Sequence, residues 1–133
     1  MKTTGSCFCG ALAFEAEVDP KKVVVCYCTD CQISSGGTCH VNTIVPEADF
    51  KMTKGEPAHF IKTADSGNKR NIGFCGTCGT QLYAVNAEGP KVYGVRVPTL
   101  HQRDQLRPVM RFFLRSKPDW VATEAELPGH QAM

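Results

Sequence analysis

The chain is 133 residues long, with 42% hydrophobic residues, 21% charged residues and a formal net charge of +2. This length suits one compact domain with a moderate core, and no apolar run is long enough to cross a membrane. The slight charge, without a long basic run, argues against a protein that binds nucleic acid or an anionic membrane by electrostatic attraction.

The pattern of the chain is that of a mainly β protein. Residues 12–18 alternate apolar and polar side chains, which is typical of a half-buried strand. Turn sequences such as Asp19-Pro20 separate this segment from later ones that are rich in β-branched and aromatic residues. We predict further strands at 22–26, 39–45, 59–63, 71–74, 81–84, 91–97 and 109–114. Short helical turns are predicted at 29–34 and 46–50.

No repeat, low-complexity tract or linker divides the chain. We expect a single domain over residues 1–121, followed by a tail, 122–133, that has no strong pattern and is a candidate for disorder. Six residues precede the first cysteine, which leaves no room there for a signal peptide. We therefore expect a cytoplasmic protein, in which thiols stay reduced and close cysteine pairs more often bind metal than form disulfides.

Eight cysteines, grouped at short gaps, are the most informative feature of the sequence. In chain order they are Cys7 and Cys9, then Cys26, Cys28 and Cys31, then Cys39, and finally Cys75 and Cys78. Sulfur atoms so close along the chain can bind one ion together, and thiolate-rich tetrahedral sites favour zinc. The sequence therefore predicts a zinc protein with two separate sites, hence two Zn²⁺ ions per chain.

The first predicted site joins the first and last cysteine pairs. Cys7 and Cys9 lie on the same side of an extended segment, because side chains alternate along a strand. Cys75 and Cys78, flanked by glycines, form a tight turn that is typical of a zinc knuckle. Together they make a closed four-cysteine site whose role is folding. The alternative is a reduced first pair and a redox-active second pair, although no βαβ pattern surrounds the second.

The second predicted site uses Cys26, Cys28 and Cys31, which can cover only one face of a tetrahedral ion. The fourth ligand is water, a substrate, Cys39 or His40. Three protein ligands and an open position are typical of catalytic zinc. Three thiolates favour binding a thiol and lowering its pKa from about 8.5, rather than peptide hydrolysis. If Cys39 is the fourth ligand, this site is a second structural one.

Three cysteine motifs carry a resemblance to a known family. They are Gly5-Ser6-Cys7-Phe8-Cys9-Gly10, Cys26-Tyr27-Cys28-Thr29-Asp30-Cys31 and Phe74-Cys75-Gly76-Thr77-Cys78-Gly79-Thr80. They resemble the motifs of the glutathione-dependent formaldehyde-activating enzyme family, which also includes centromere-protein-V-like domains. The likeness runs over about residues 5–121. It departs at Cys39, Pro98, His101 and Phe112-Phe113, which leaves both cysteine sets intact and bears on the substrate pocket.

The resemblance implies a fold, two metal sites and a reaction. The fold is a β-tent of several small coiled antiparallel sheets around zinc sites, similar to the zinc-containing Rab-GTPase chaperone fold. The implied ligands are Cys7, Cys9, Cys75 and Cys78 for a structural zinc and Cys26, Cys28 and Cys31 for a catalytic zinc. The family's named reaction joins formaldehyde to the thiol of glutathione, giving S-hydroxymethylglutathione, and is classed among the carbon–sulfur lyases. The implied partner is a small thiol such as glutathione.

Two other functions are compatible with the same cysteines. The first is a non-catalytic, zinc-stabilised binding module for a protein or nucleic-acid partner, which would use basic residues such as Lys69-Arg70 and Arg111. The second is a purely structural protein in which Cys39 completes the second zinc site. Steep salt dependence of nucleic-acid binding would favour the first, and loss of the second zinc in Cys39→Ala would favour the second. The sequence assigns no oligomeric state.

Overall fold

Ten β-strands form most of the protein, which a computed structural model describes over residues 1–133. In chain order the strands are β1 (Lys2–Ser6), β2 (Ala13–Glu17), β3 (Val23–Cys26), β4 (His40–Pro46), β5 (Phe50–Lys54), β6 (Ala58–Thr63), β7 (Lys69–Phe74), β8 (Gln81–Asn86), β9 (Val92–Arg96) and β10 (Met110–Phe112). The α-helix, α1, spans Thr29–Ser35. The 3-10 helices are Pro20–Lys22, Glu47–Asp49, Val97–Thr99, Arg103–Gln105, Leu114–Ser116 and Asp119–Glu126. The prediction of a mainly β fold is confirmed.

The strands form two sheets. β1, β2 and β5 make a three-stranded sheet, and the others pair in the order β10-β3-β4-β9-β8-β7-β6. All neighbours in both sheets are antiparallel except β10 and β3, which pair in parallel. The predicted antiparallel sheets are therefore found, with one parallel pair. This pair is parallel because the long connection after β9 brings β10 beside β3 in the same direction.

Two strands, β1 and β5, lie outside the sequence predictions. β1 reads Lys-Thr-Thr-Gly-Ser and carries no large apolar side chain. Its Thr3 is nevertheless buried, because the hydroxyl donates a hydrogen bond to the Ala16 carbonyl oxygen at 2.7 Å. β5 offers only Phe50 and Met52 among lysines and a threonine. Both strands form because they pair with β2. The apolar pattern within one segment does not reveal such pairing.

The core lies where the small sheet packs against one face of the large one. Val45 of β4 and Val95 of β9 are fully buried and belong to one apolar cluster with Phe14 of β2. Phe50 of β5 stacks on Tyr93 of β9, with the ring centroids 4.3 Å apart. Because side chains alternate along a strand, the even-numbered residues of β4 and β9 point to the other face of the large sheet.

Gly5 of β1 allows a close approach that a larger residue would prevent. A Cβ there would overlap the Phe14 ring and lie 2.8 Å from the Thr99 carbonyl oxygen. Phe14 is 1% exposed and has no room to move aside. We expect Gly5→Ala to lower the free energy of unfolding in urea by about 1–3 kcal/mol, as overpacking does.

Gly37→Ala is the matched control, because its Cβ would meet only Ser35 Oγ, at 3.6 Å. We expect this control to change the free energy of unfolding by less than about 0.5 kcal/mol. Equal losses in the two variants would contradict the packing assigned to Gly5.

The helical segments are short, and α1 is seven residues long. No helix combines the length and the apolar character that spanning a membrane requires. Asp119–Glu126 forms a 3-10 helix without a buried residue. The domain limit at residue 121 and the tail at 122–133 stay predictions.

Candidate functional site

Four cysteines from the N-terminal segment and the middle of the chain meet in cluster A (Cys7, Cys9, Cys75 and Cys78). Their sulfur atoms all lie within 4.8 Å of one another. The Sγ–Sγ distances of Cys7–Cys9 and Cys9–Cys75 are both 3.7 Å. A tetrahedral zinc ion with bonds of about 2.3 Å requires sulfur atoms about 3.8 Å apart. The donor atoms and their spacing therefore fit a zinc ion.

The local backbone holds the sulfur atoms of cluster A in place. The turn that carries Cys75 and Cys78 closes through a hydrogen bond from Gly79 N–H to the Cys75 carbonyl oxygen at 2.8 Å, and Gly79 has a φ of +79°, which favours glycine. The Leu12 N–H donates to Cys7 Sγ at 3.2 Å, and the Cys78 N–H donates to Cys75 Sγ at 3.5 Å. Such bonds orient the sulfur atoms that would bind the metal.

Three further cysteines form cluster B (Cys26, Cys28 and Cys31), whose sulfur atoms also lie within 4.8 Å of one another. Cys26 ends β3, and Cys28 caps α1 by accepting a hydrogen bond from the Cys31 N–H at 3.3 Å. All three residues are half-buried. Hydrogen bonding with Cys31 lowers the pKa of Cys26 to about 5, and the same contact raises the pKa of Cys31. Without a metal ion, one thiol of the cluster therefore ionises more readily and another less readily. A divalent metal ion would take the place of the thiol protons.

The two residues considered as a fourth ligand lie outside cluster B. Neither Cys39 nor His40 has a ligand atom within 4.8 Å of all three sulfur atoms. Cys39 Sγ instead accepts a hydrogen bond from Thr38 Oγ1 at 3.8 Å. His40 is buried and pairs with Cys26 across β3 and β4. The structure thus brings together the three predicted cysteines, and neither fourth candidate is part of their group.

The cysteines of cluster B line a cavity of about 640 Å³. Its floor is the face of the large sheet that lies opposite the core, and it includes His40 and Asn42 of β4 and Arg96 of β9. Another wall comes from the segment that follows β10, through Phe113 and Arg115. Cavities of this size are typical of small-molecule sites.

Positive charge is concentrated in this cavity. Lys62 forms an ion pair with Asp30 at 2.9 Å. Arg96 is 7% exposed, and its Nη1 donates to Asn42 Oδ1 at 2.7 Å. Burial lowers the pKa of Arg96 to about 10, so its guanidinium stays charged at neutral pH. Arg70 also lines the cavity, and neither arginine forms an ion pair.

His40 adds a neutral polar group to the cavity floor. Burial, followed by the charges of Arg96 and Lys62, lowers the pKa of His40 to about 4. The imidazole is therefore uncharged at pH 7, and its Nδ1 has no hydrogen-bond partner within the protein.

Comparison with known proteins gives the family. The family model described as glutathione-dependent formaldehyde-activating enzyme matches residues 2–116. The chain belongs to this family. The matched region contains all eight cysteines, so the resemblance drawn from the three motifs is confirmed.

A relative and a solved structure accompany this match. A Halomonas elongata protein named "Putative glutathione-dependent formaldehyde-activating enzyme" is 28% identical over 131 residues, which is 94% of this chain and 83% of that protein. A crystal structure of a Rhodobacter sphaeroides protein, a structural-genomics target, superposes with a TM-score of 0.60 at 23% identity and covers 81% of this chain and 98% of that chain. The second likeness supports the fold alone.

Two charged residues of the cavity are absent from the site residues that the sequence predicts. Lys62 lies on β6 and Arg96 on β9, and each points from a strand into the cavity. The available signal was a charge in a buried strand, since Gly94, Val95 and Arg96 are all buried. That signal alone does not identify the residues around the charged group, because those residues come from strands that are distant in sequence.

Proposed function

We propose that this member of the family is a zinc-dependent carbon–sulfur lyase, similar to S-(hydroxymethyl)glutathione synthase. It joins a small thiol, glutathione or a similar compound, to formaldehyde or another small electrophile. The catalytic zinc is bound by Cys26, Cys28 and Cys31, and cluster A binds a structural zinc. A cytoplasmic location, where thiols stay reduced, suits this chemistry.

One observation carries the proposal: cluster B has three sulfur ligands, no fourth ligand from Cys39 or His40, and a cavity beside it. A closed structural site would have four protein ligands, as cluster A has. Three ligands that face a cavity of about 640 Å³ leave a coordination position that a small molecule can reach. Family membership supplies the class of reaction, and the ligand set supports it, because thiolate-rich zinc favours a thiol as the added ligand.

The proposed reaction forms one sulfur–carbon bond. As the thiol sulfur adds to the carbonyl carbon, the electron pair of the carbonyl π bond moves to oxygen, which takes up the proton that the thiol gives up. A zinc ion bound by cluster B supplies a binding site for sulfur and lowers the thiol pKa from about 8.5. The cavity walls hold the reactants together, so proximity supplies part of the acceleration. Lys62 and Arg96 place positive charge near the negative charge that develops.

Metal analysis tests this assignment of the two clusters. We expect two zinc ions per chain in untagged protein, one of which mild chelation removes. The labile ion is that of cluster B, because three protein ligands hold it, whereas four hold the ion of cluster A and two of these, Cys7 and Cys75, are at most 3% exposed. Cys39→Ala is expected to keep both ions. A single zinc ion, or two that resist chelation equally, would contradict the proposed function.

A further inference from the structure

The cavity floor contains a buried cation without a carboxylate partner. Arg96 donates from Nη1 to Asn42 Oδ1 at 2.7 Å and from Nη2 to Gln81 Oε1 at 3.2 Å, while its Nε has no hydrogen-bond partner. Both acceptors are neutral amides. The ion pairs of the molecule involve other residues. The guanidinium is thus fixed in position by two side chains and keeps a free N–H donor, and the negative charges that act on it are the thiolates of cluster B.

His40 supplies a second polar atom without a partner on the same floor. It is 8% exposed, and its Nδ1 accepts or donates no hydrogen bond within the protein. His40 and Asn42 point to one face of β4 because they are two residues apart, and Asn42 pairs with Arg96 across β4 and β9. His40 and Arg96 therefore lie at diagonal positions of neighbouring strands, within reach of one small group.

A buried charge and buried polar atoms without partners are costly, so an unpaired set in a cavity indicates a ligand that pairs them. The other cations of the cavity differ from Arg96. Lys62 already pairs with Asp30 at 2.9 Å, and Arg115 is exposed, with its guanidinium 5.6 Å from the Phe113 ring centroid. Arg70 is half-buried and donates from Nη2 to the Ala84 carbonyl oxygen at 3.1 Å. Arg96 carries only hydrogen-bond donors, so the complementary group is an acceptor. An oxygen that carries negative charge is the strongest acceptor for a guanidinium.

We propose that Arg96, with His40 beside it, forms a subsite that binds a negatively charged oxygen of the ligand. Two sources share this chemistry: a carboxylate on the thiol, and the alkoxide that the carbonyl oxygen becomes as sulfur adds to carbon. The second source rests on the proposed reaction, whereas the first requires only that the thiol binds. In the second case Arg96 Nε–H donates to the oxygen, which then takes up the proton that the thiol released.

Nuclear magnetic resonance of the zinc-loaded protein tests the subsite without turnover. The Arg96 Nε–H signal is assigned as the one that Arg96→Lys removes. Its response is followed with 3-mercaptopropionate, which has a carboxylate, and with 2-mercaptoethanol, which does not. If the subsite is a carboxylate receptor, that is, if it binds the carboxylate of the thiol, the Arg96 Nε–H signal should shift saturably with 3-mercaptopropionate and not with 2-mercaptoethanol. If this shift occurs in a protein that does not turn over formaldehyde, the subsite stands and the proposed function fails.

Kinetics with formaldehyde and the same two thiols distinguish the sources. A carboxylate receptor predicts that Arg96→Gln raises KM for 3-mercaptopropionate by about 10- to 100-fold, the effect of losing one hydrogen bond to a charged group, and leaves 2-mercaptoethanol unchanged. An alkoxide receptor predicts that kcat falls by a similar factor for both thiols while KM holds. Arg107→Gln removes an exposed charge outside the cavity and is the control.

Two results would together overturn the subsite. The Nε–H signal would stay unshifted with each of the two thiols, and kcat and KM would be unchanged in Arg96→Gln. Equal losses in Arg96→Gln and Arg107→Gln would overturn it as well, because they would reflect net charge alone. Zinc content and the unfolding midpoint establish that the variants are folded. If Arg96→Gln does not fold, Arg96→Lys, which keeps the charge but lacks the Nε–H donor, takes its place in the kinetic comparison.

Discussion

Replacing Cys26 by serine is expected to lower kcat/KM for the addition of glutathione to formaldehyde by more than about 100-fold, because removing even a residue that supports a metal ligand costs about 10- to 100-fold. The zinc content is expected to fall from two ions per chain to one. The fold should survive, since Cys26 is half-buried at the end of β3 and serine has nearly the same shape. Initial rates, elemental analysis and circular dichroism check the three parts of this prediction.

Cys39→Ser is the matched control for that experiment. It makes the same thiol-to-hydroxyl change in a half-buried cysteine nearby, but at a residue outside cluster B. We expect this variant to retain both zinc ions and normal turnover. Normal turnover in Cys26→Ser would show that cluster B does not carry the reaction, and loss of zinc in Cys39→Ser would make that cluster a second structural site.

Replacing Cys75 by serine is expected to abolish the folded state under conditions in which the wild type is stable. Cys75 is 2% exposed and belongs to the apolar core as well as to cluster A. Binding of a structural zinc contributes about 10–16 kcal/mol in small zinc domains, whereas a whole domain is stable by about 5–15 kcal/mol. Losing one of four ligands therefore removes a free energy comparable with the total stability.

Near-ultraviolet circular dichroism and urea unfolding of Cys75→Ser measure this effect. We expect no cooperative transition, and chelators strong enough to strip cluster A from the wild type should reproduce the same state. Cys26→Ser serves as the comparison, because it removes a ligand from cluster B without entering the core. A Cys75→Ser protein that unfolds cooperatively at the wild-type urea concentration would contradict the structural role of cluster A.

The sequence predicts those strands whose two faces differ in burial. Along β2, Phe14 and Ala16 are buried between exposed glutamates, which gives a period-two signal in one short segment. β1 gives no such signal, because Thr3 is buried through a hydrogen bond rather than through apolar character. The parallel pairing of β10 with β3 is also invisible in the sequence, since it joins residues far apart along the chain.

The candidate site also has a part that the sequence predicts and a part that it does not. The cysteines within each short motif could be grouped from the sequence because metal ligands at gaps of one or two residues constrain each other locally. The union of the first and last pairs in cluster A followed from the four ligands that a closed tetrahedral site requires. The cavity could not be predicted, because β4, β6 and β9 come together only through the order of the strands in the large sheet. Lys62 and Arg96 become neighbours of cluster B in the folded chain alone.

The rate at which glutathione and formaldehyde form their adduct tests whether cluster B carries the proposed reaction. With ¹³C-labelled formaldehyde, exchange nuclear magnetic resonance measures the interconversion of the free and thiol-bound carbon at equilibrium, with and without protein. We expect the exchange rate to rise in proportion to the concentration of zinc-loaded protein. The Cys26→Ser variant is expected not to raise it. An exchange rate in the presence of fully zinc-loaded protein that equals the uncatalysed rate would contradict the assignment of this reaction to cluster B.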